Sequence, residues 1–321
     1  MFQINTGNII NYWGPKLTPY ARAIMSSYRR CEPLFLNIPT TLTGVVREQR
    51  TVINEPFEYD VLIIGANINM GTASNGSNGQ QIFLNVSDLQ TGIDWSTPGP
   101  IDCSPAVAYG GSRHNAMPVL QLPEAFFLPA GVRLRHLWRM IGQTATGGTL
   151  TWIAIQLIDP IGGKRPSSVQ MPDGSVIPVG SRIPWFSTIG LGTEISVLGS
   201  PRYVLARDYG TYVQFCPAAD CEIEIHDIVC NFFTQGDDVS TDPENILIGL
   251  ADRQEPRFWT PVNAPSTAVF GDYNKAYIGL PLTKPYLLKK GHRLQITTQN
   301  GNNLEINNAF VTVRGVRKCD Y

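Results

Sequence analysis

Apolar residues recur at every second position through much of the chain. Phe57, Tyr59, Val61 and Ile63 alternate in FEYDVLI, and Ile82, Leu84 and Val86 alternate in QIFLNVSD. A period of two puts such residues on one face of an extended strand, so the pattern predicts half-buried β-strands. FFLPAG, VRLRHLWRM and TLTWIAIQLI continue the series. Polar runs such as NMGTASNGSNGQ separate the strands and predict hairpin loops, because Gly and Asn accept the backbone angles of tight turns. One stretch departs from this period. Lys16 to Arg30, KLTPYARAIMSSYRR, has helical composition after Pro19 and ends in two arginines suited to the negative end of a helix. Tyr20, Ile24 and Tyr28 recur every four residues and would form one apolar stripe. Such a helix either closes one end of the first sandwich or acts as an arm that docks on an adjacent subunit.

The two halves of the chain repeat one another. Leu122, Leu128, Gly131, Arg133 and Leu134 meet Leu282, Leu288, Gly291, Arg293 and Leu294 at a constant offset of 160, with Phe126 on Tyr286. Upstream, Ile82, Leu84, Val86, Asp88, Gln90 and Trp95 meet Ile246, Ile248, Leu250, Asp252, Gln254 and Trp259 at an offset of 164. TLTWIAIQLI is matched to NNAFVTVRGV near the end of the chain. Alternating strands align with one another by default, but shared Gly, Asp and Trp positions in conserved block order point to duplication. The expected fold is all-β: a short helix or arm over 1–31, an antiparallel β-sandwich over 32–160, a crossing linker over 161–199, and a second sandwich over 200–321. The linker is rich in Pro and Gly and carries a possible PDG hairpin. Asp88 and Asp252 are expected to cap turns, Trp95 and Trp259 to cover the edge of each core, and Gly131 and Gly291 to occupy tight turns with positive φ.

Composition narrows the function. The chain has 321 residues, 30 Gly, 24 Pro and only 16% charged residues, with a formal net charge of -1. Low charge leaves no basic concentration for a polyanion, so neither nucleic acid nor an anionic membrane is an expected partner. The opening MFQINTGNIINYWG has no basic and apolar signal regions, and no apolar run is long enough to span a bilayer. Six scattered cysteines do not make a disulfide scaffold, and Cys216, Cys221, His226 and Cys230 lack zinc-ribbon spacing. Asp237, Asp238, Asp242 and Glu244 could approach calcium but lack EF-hand spacing, and read as a solvated loop. VLIIGANINMG lacks GxGxxG, and IGGKRPS lacks the Walker pattern. His114, His136, His226 and His292 form no recognisable acid–base constellation. No catalytic residue, metal ligand, cofactor or small-molecule substrate is expected. Arg133 and Arg135 share one strand face, suited to an intersubunit contact or to solubility.

The segments YRRCEPLFLNIP, FEYDVLIIGANI, LPEAFFLPAGVRLRHLWRM and LTKPYLLKKGHRLQITTQNG resemble those of tandem jelly-roll or β-sandwich virion proteins of bacteriophages. The resemblance covers nearly the whole chain after the arm. It implies two jelly-roll-like domains and a non-enzymatic structural role, as a decoration, minor capsid or head-to-tail protein. A double jelly-roll major capsid protein and a carbohydrate-binding or glycan-degrading sandwich are the alternatives. The implied partners are other virion proteins and further copies of the chain, in a virion assembled in the host cytoplasm. Tyr20, Ile24 and Tyr28 would supply the arm's apolar contact with a neighbour.

Overall fold

The computed structural model describes residues 17–40, 49–70, 81–92, 94, 101–102, 119–141, 148–190, 193–194, 202–204, 212–215, 218–234, 246–255, 257–258, 264–265, 279–300 and 306–318. The first half contains helix α1 (Pro19–Ser26) and strands β1 (Tyr28–Thr40), β2 (Gln49–Ile53), β3 (Asp60–Met70), β4 (Gln81–Asp88), β5 (Ile101–Asp102), β6 (Val119–Leu128), β7 (Leu134–Ile141) and β8 (Gly148–Pro160). One sheet runs β1-β8-β3-β6 and the other β2-β7-β4-β5, all antiparallel. This is an eight-stranded jelly roll. Val61, Ile63, Leu84, Val86, Trp138 and Trp152 fill the space between its sheets.

A hairpin of β9 (Ser168–Gln170) and β10 (Val176–Pro178) follows, turning at the expected Pro172-Asp173-Gly174 with Gly174 at φ 86°. The second half contains β11 (Arg182–Gly190), β12 (Thr193–Glu194), β13 (Arg202–Val204), β14 (Tyr212–Phe215), β15 (Glu222–Thr234), β16 (Ile246–Asp252), β17 (Arg257–Phe258), β18 (Ala264–Pro265), β19 (Gly279–Leu288), β20 (Leu294–Asn300) and β21 (Ile306–Lys318). Here β11 and β13 both pair with β21, which is followed by β15 and β19. The facing sheet runs β14-β20-β16-β17, with β18 also on β16. Apart from β12, β13 and β18, which have no counterpart, β11-β21-β15-β19 and β14-β20-β16-β17 repeat the order of the first half, so the chain is two tandem jelly rolls. Ile223, Ile225, Ile248, Ile296, Val311 and Val313 form the second core.

The correspondence extends to an irregularity. β3 carries a bulge between Ile63 and Gly65, and β15 carries one between Ile225 and Asp227. Opposite the bulges stand two small residues, Ala154 and Gly315. A Cβ on Gly315 would lie 2.5 Å from the Glu224 carbonyl oxygen, so the backbones approach too closely there for any side chain.

Four expectations need revision. The alignment of the last strands is shifted by three residues. Val61 pairs with Leu128 and Gln156, while Ile223 pairs with Leu288 and Arg317, which fixes the offset between β8 and β21 at 161. An offset of 158 would place Trp152 on Phe310, on the opposite face of the sheet from the core residue Val313, because an odd slip inverts every side chain. The helix ends at Ser26, capped by Ser27 at φ -85° and ψ 1°, and Tyr28 opens β1 opposite Pro160. Arg29 and Arg30 therefore lie in a strand. Strand β3 is not half-buried: Val61 and Ile63 enter the core, while Leu62 and Ile64 are buried on the other face. Finally, the 161–199 segment carries structure of its own, a hairpin over the first unit and a nine-residue strand of the second.

α1 and the hairpin cover the outer face of the first sheet. Thr18 caps the helix through its hydroxyl, which accepts from the Ala21 N–H at 3.2 Å, and Pro19 opens the first turn where its missing donor costs nothing. Leu17, Tyr20, Ala21 and Ile24 pack with Leu62, Ile64, Phe127, Ile153, Ile155 and Val169. The helix thus lies across a sheet face of its own chain, not at one end of the sandwich.

Candidate functional site

Two features recur or converge in ways a generic sandwich does not require: a duplicated corner and the junction between the units. In the first corner, the Asp88 carboxylate accepts from the Gln90 N–H at 2.7 Å, and Gln90 Nε2 donates to the Gly131 carbonyl at 2.9 Å. In the second, Asp252 accepts from the Gln254 N–H at 3.0 Å, and Gln254 Nε2 donates to the Gly291 carbonyl at 3.3 Å. The backbone repeats as well. The Gly131 N–H donates to the Phe57 carbonyl and the Gly291 N–H to the Ala219 carbonyl, each at 2.7 Å. Gly131 and Gly291 sit at φ 86° and 82°, a region that penalises any Cβ. Asp, Gln and Gly therefore clamp the end of β4 to the β6–β7 turn, and the end of β16 to the β19–β20 turn.

The corners differ in chemistry. Asp252 also accepts from the Tyr286 hydroxyl at 2.7 Å and lies 2.9 Å from His292 Nδ1. Burial raises its carboxyl, but these donors outweigh it and hold Asp252 below the usual carboxylate range. In the first unit, Phe126 and Val132 occupy the positions of Tyr286 and His292.

The junction gathers groups from α1, β6, β11, β15 and β21. Arg182 on β11 donates to Glu124 of the first unit at 3.2 Å and to Glu224 of the second at 2.7 Å. Thr18 also bonds Glu124, and Lys318 reaches Glu224 at 2.5 Å. Glu124 is only 2% exposed, and burial holds its carboxyl above the ordinary range despite Arg182. The Arg182 guanidinium also stands 5.9 Å from the centre of the Tyr20 ring. The Tyr20 hydroxyl donates to the Pro178 carbonyl and accepts from the Gly180 N–H, and burial pushes its pKa up to about 12. Beside this polar group, Phe186 projects from β11 into the first core and is fully buried.

The other sequence-derived candidates fall as follows. Tyr20, Ile24 and Tyr28 are buried within the chain, at 1%, 0% and 5% exposure, so in this fold their side chains face their own first unit. The Tyr28 hydroxyl donates to Asp60 at 2.8 Å, and Arg165 pairs with the same carboxylate at 2.7 Å. Trp95 and Trp259 lie outside the described residues, as do the Asp237–Glu244 run, His114 and Cys216. Cys31 and Cys221 are half-buried. Among the described residues no group of three or more His, Cys, Asp or Glu could hold a metal ion. Arg133, Arg135 and Arg139 are exposed, and Arg135 donates to Ser87 at 3.0 Å.

His136 proves to be a core residue. The Trp152 indole N–H donates to its Nε2 at 2.7 Å, which puts the proton on Nδ1, facing the Val52 carbonyl at 3.3 Å. A charged ring could not accept the indole hydrogen, and burial lowers the His136 pKa to about 4. The alternating pattern marked His136 as a strand residue but could not show its partner. The sequence also carries a second signal. Pro33, Phe35 and Ile38 of β1 match Pro184, Phe186 and Ile189 of β11 at an offset of 151.

No protein-family model matches the sequence, and no curated protein matches it. Among solved structures, the chain is similar to the STIV MCP at 10% identity, covering 90% of this chain and 97% of that one with a TM-score of 0.46. It is similar to the major capsid protein P2 from Bacteriophage PM2 at 12% identity, covering 90% and 98%, with a TM-score of 0.39. Similarity to a chain of the Sputnik virophage stands at 8% identity, covering 91% and 86%, with a TM-score of 0.26. Scores this low carry no argument about kinship or role. The jelly-roll fold rests on the strand order itself.

Proposed function

We propose that this chain is a non-enzymatic structural protein of a virus particle and that it builds the shell itself. The observation that supports this reading is the locked tandem: two jelly rolls of one strand order, held at fixed spacing by Arg182 and Phe186. Jelly rolls serve viral shells, lectins and cupins. A shell needs rigid, repeating units, and the junction supplies rigidity while the duplication supplies repetition. The polar groups found here are used in corners and junction, tying strands together instead of converging on a pocket. A decoration or connector protein, the preferred reading from sequence, needs one face that grips a shell made by others. The repetition of strand order, bulge and corner chemistry in the two units favours the major capsid alternative. Its partners would be further copies of the chain and other virion proteins. Imaging of native particles with copy number resolved tests the proposal. A continuous shell made of this chain is the expected result. A minor copy number on a shell of another protein, or a free monomer that hydrolyses a polysaccharide, would overturn it.

A further inference from the structure

The bulge in β15 leaves one residue, His226, out of the ladder between Ile225 and Asp227. A bulge re-aims the side chain it releases. In the first unit the same bulge releases Ile64, which is buried with the helix and hairpin residues on the outer face of its sheet. In the second it releases His226 among the charges of the junction. The His226 Nε2 is buried, makes no hydrogen bond, and stands 3.9 Å from Glu224 Oε2. That same oxygen accepts from Arg182 at 2.7 Å. His226 also faces Asp227 of its own strand and Lys318 of β21. Asp227 is paired with Arg314 of β21, and Lys284 of the neighbouring β19 is exposed. On the first-unit side, Glu124 is bonded by Arg182 and Thr18, with Tyr20 beside them. With the His226 ring neutral, Glu124, Glu224 and Asp227 stand against Arg182, Lys318 and Arg314, so the charges of the described residues balance.

We propose that the junction is an acid-sensitive latch: protons taken up by His226 and Glu124 release Arg182 and loosen the contact of β11 with β6, while both sandwiches stay folded. Arg182 is held from two sides, and acid acts on both. A protonated His226 adds a cation to a balanced cluster and competes with Arg182 for one Glu224 oxygen. A protonated Glu124 no longer offers Arg182 a charge in the first unit. The two protons act with different signs on the fold itself. Burial holds the His226 ring below its ordinary value of 6.5, so the support its neutral form gives is present above that pH and is lost as pH falls through the lowered value. Burial holds the Glu124 carboxyl above its ordinary value, so the proton it takes up relieves a buried charge and does not weaken the first unit. Phe186 carries no charge and keeps its place in the first core, which makes the response a loosening and not a separation. The inference rests on the junction and does not require that the protein be part of a virion.

Hydrogen exchange of the full chain tests it, read strand by strand at about pH 7.5 and about pH 5 and corrected for the intrinsic rate. Protection of β6 is referred to β3 and β8, and that of β11 to β15 and β21, so that an effect of acid on a whole unit, such as that of His136, cancels. Relative protection of β6 and β11 is expected to fall roughly tenfold or more at the lower pH, the effect of one site displaced by a pKa unit. Glu124→Gln and His226→Gln fix the two groups in neutral form. Glu124→Gln should show lowered β6 and β11 protection at the higher pH already, because it reproduces the protonated carboxyl. Each single variant should lose part of the pH response, and the pair should lose all of it. If the pair folds poorly, as circular dichroism would reveal, the single variants decide the matter. Relative protection that does not change with pH in the wild-type chain would overturn the proposal. So would a response that persists in full in both single variants.

Discussion

The two jelly rolls share strand order, bulge and corner chemistry, yet the outer faces of their corresponding sheets differ. In the first unit that face is apolar, with Leu62, Ile64, Phe127 and Ile153 beneath α1 and the hairpin. In the second unit the same face carries Arg314 paired with Asp227, and Glu224 paired with Lys318. Ile153 and Arg314 occupy equivalent places opposite the bulge. The comparison teaches that strand order and inner core define the unit, while the outer face is free to be rewritten for whatever lies against it: a helix in one case, ion pairs and the neighbouring unit in the other.

This contrast can be broken by substitution, beginning with the cores. Trp152→Ala in the first unit should cost about 4 kcal/mol, because it removes a buried aromatic and leaves His136 without its donor. Val313→Ala at the equivalent position should cost roughly 2 kcal/mol, having less volume and no hydrogen bond to lose. Urea unfolding of the full chain checks the difference.

The junction comes next. Arg182→Ala should destabilise by about 3 kcal/mol, since it strands Glu124 uncompensated in a buried site. Adding Glu124→Gln should recover much of that loss by removing the buried charge. If Arg182 couples the units, the single variant should also separate the unfolding of the two halves into distinct transitions by calorimetry. A single unchanged transition would argue against that coupling.

A pH titration separates the units by a different route. His136 has a folded pKa of about 4, below its ordinary value of 6.5, so the native state prefers the neutral ring. Its contribution is fully present above pH 6.5 and declines as pH falls toward about 4, where it is lost. The drop should be on the order of 3 kcal/mol. His136→Gln should flatten that part of the stability profile. Ile296 stands at the equivalent position of the second unit and cannot contribute to it. The smallest contrast is at the turns. Gly131→Ala and Gly291→Ala should each cost roughly 1 kcal/mol, and the two values should agree closely, because both residues hold positive φ in matched corners.

What could be read from the sequence follows from the range of the interactions involved. Gly131, Gly291, Asp88 and Asp252 were legible because turn chemistry is local and leaves the same residue at the same spacing. Of the Tyr20, Ile24 and Tyr28 stripe, Tyr20 and Ile24 lie on the buried helix face and Tyr28 opens β1, and nothing local could say that the covering partner was the outer face of a sheet. β3 read as half-buried although VLIIGA is a continuous apolar run, the pattern expected of a strand covered on both sides. The β21 register failed because short alternating strands match equally well at several slips, and only pairing with β15 fixes the parity. The Pro-x-Phe repeat of β1 and β11 was visible in principle. β11 lies in a Pro- and Gly-rich stretch with the composition of a linker, which hides it as the counterpart of the first strand.

Strand β11 belongs to one unit by its hydrogen bonds and to the other by Phe186 and Arg182. A protease or a gene truncation therefore has no clean place to divide the molecule. Cutting before Arg182 strips the first unit of a side chain that completes its interior, and cutting after Gly190 strips the second of an edge strand. The duplicated protein is in this sense no longer modular: recombination that exchanged one jelly roll for another would have to carry β11 and its socket together.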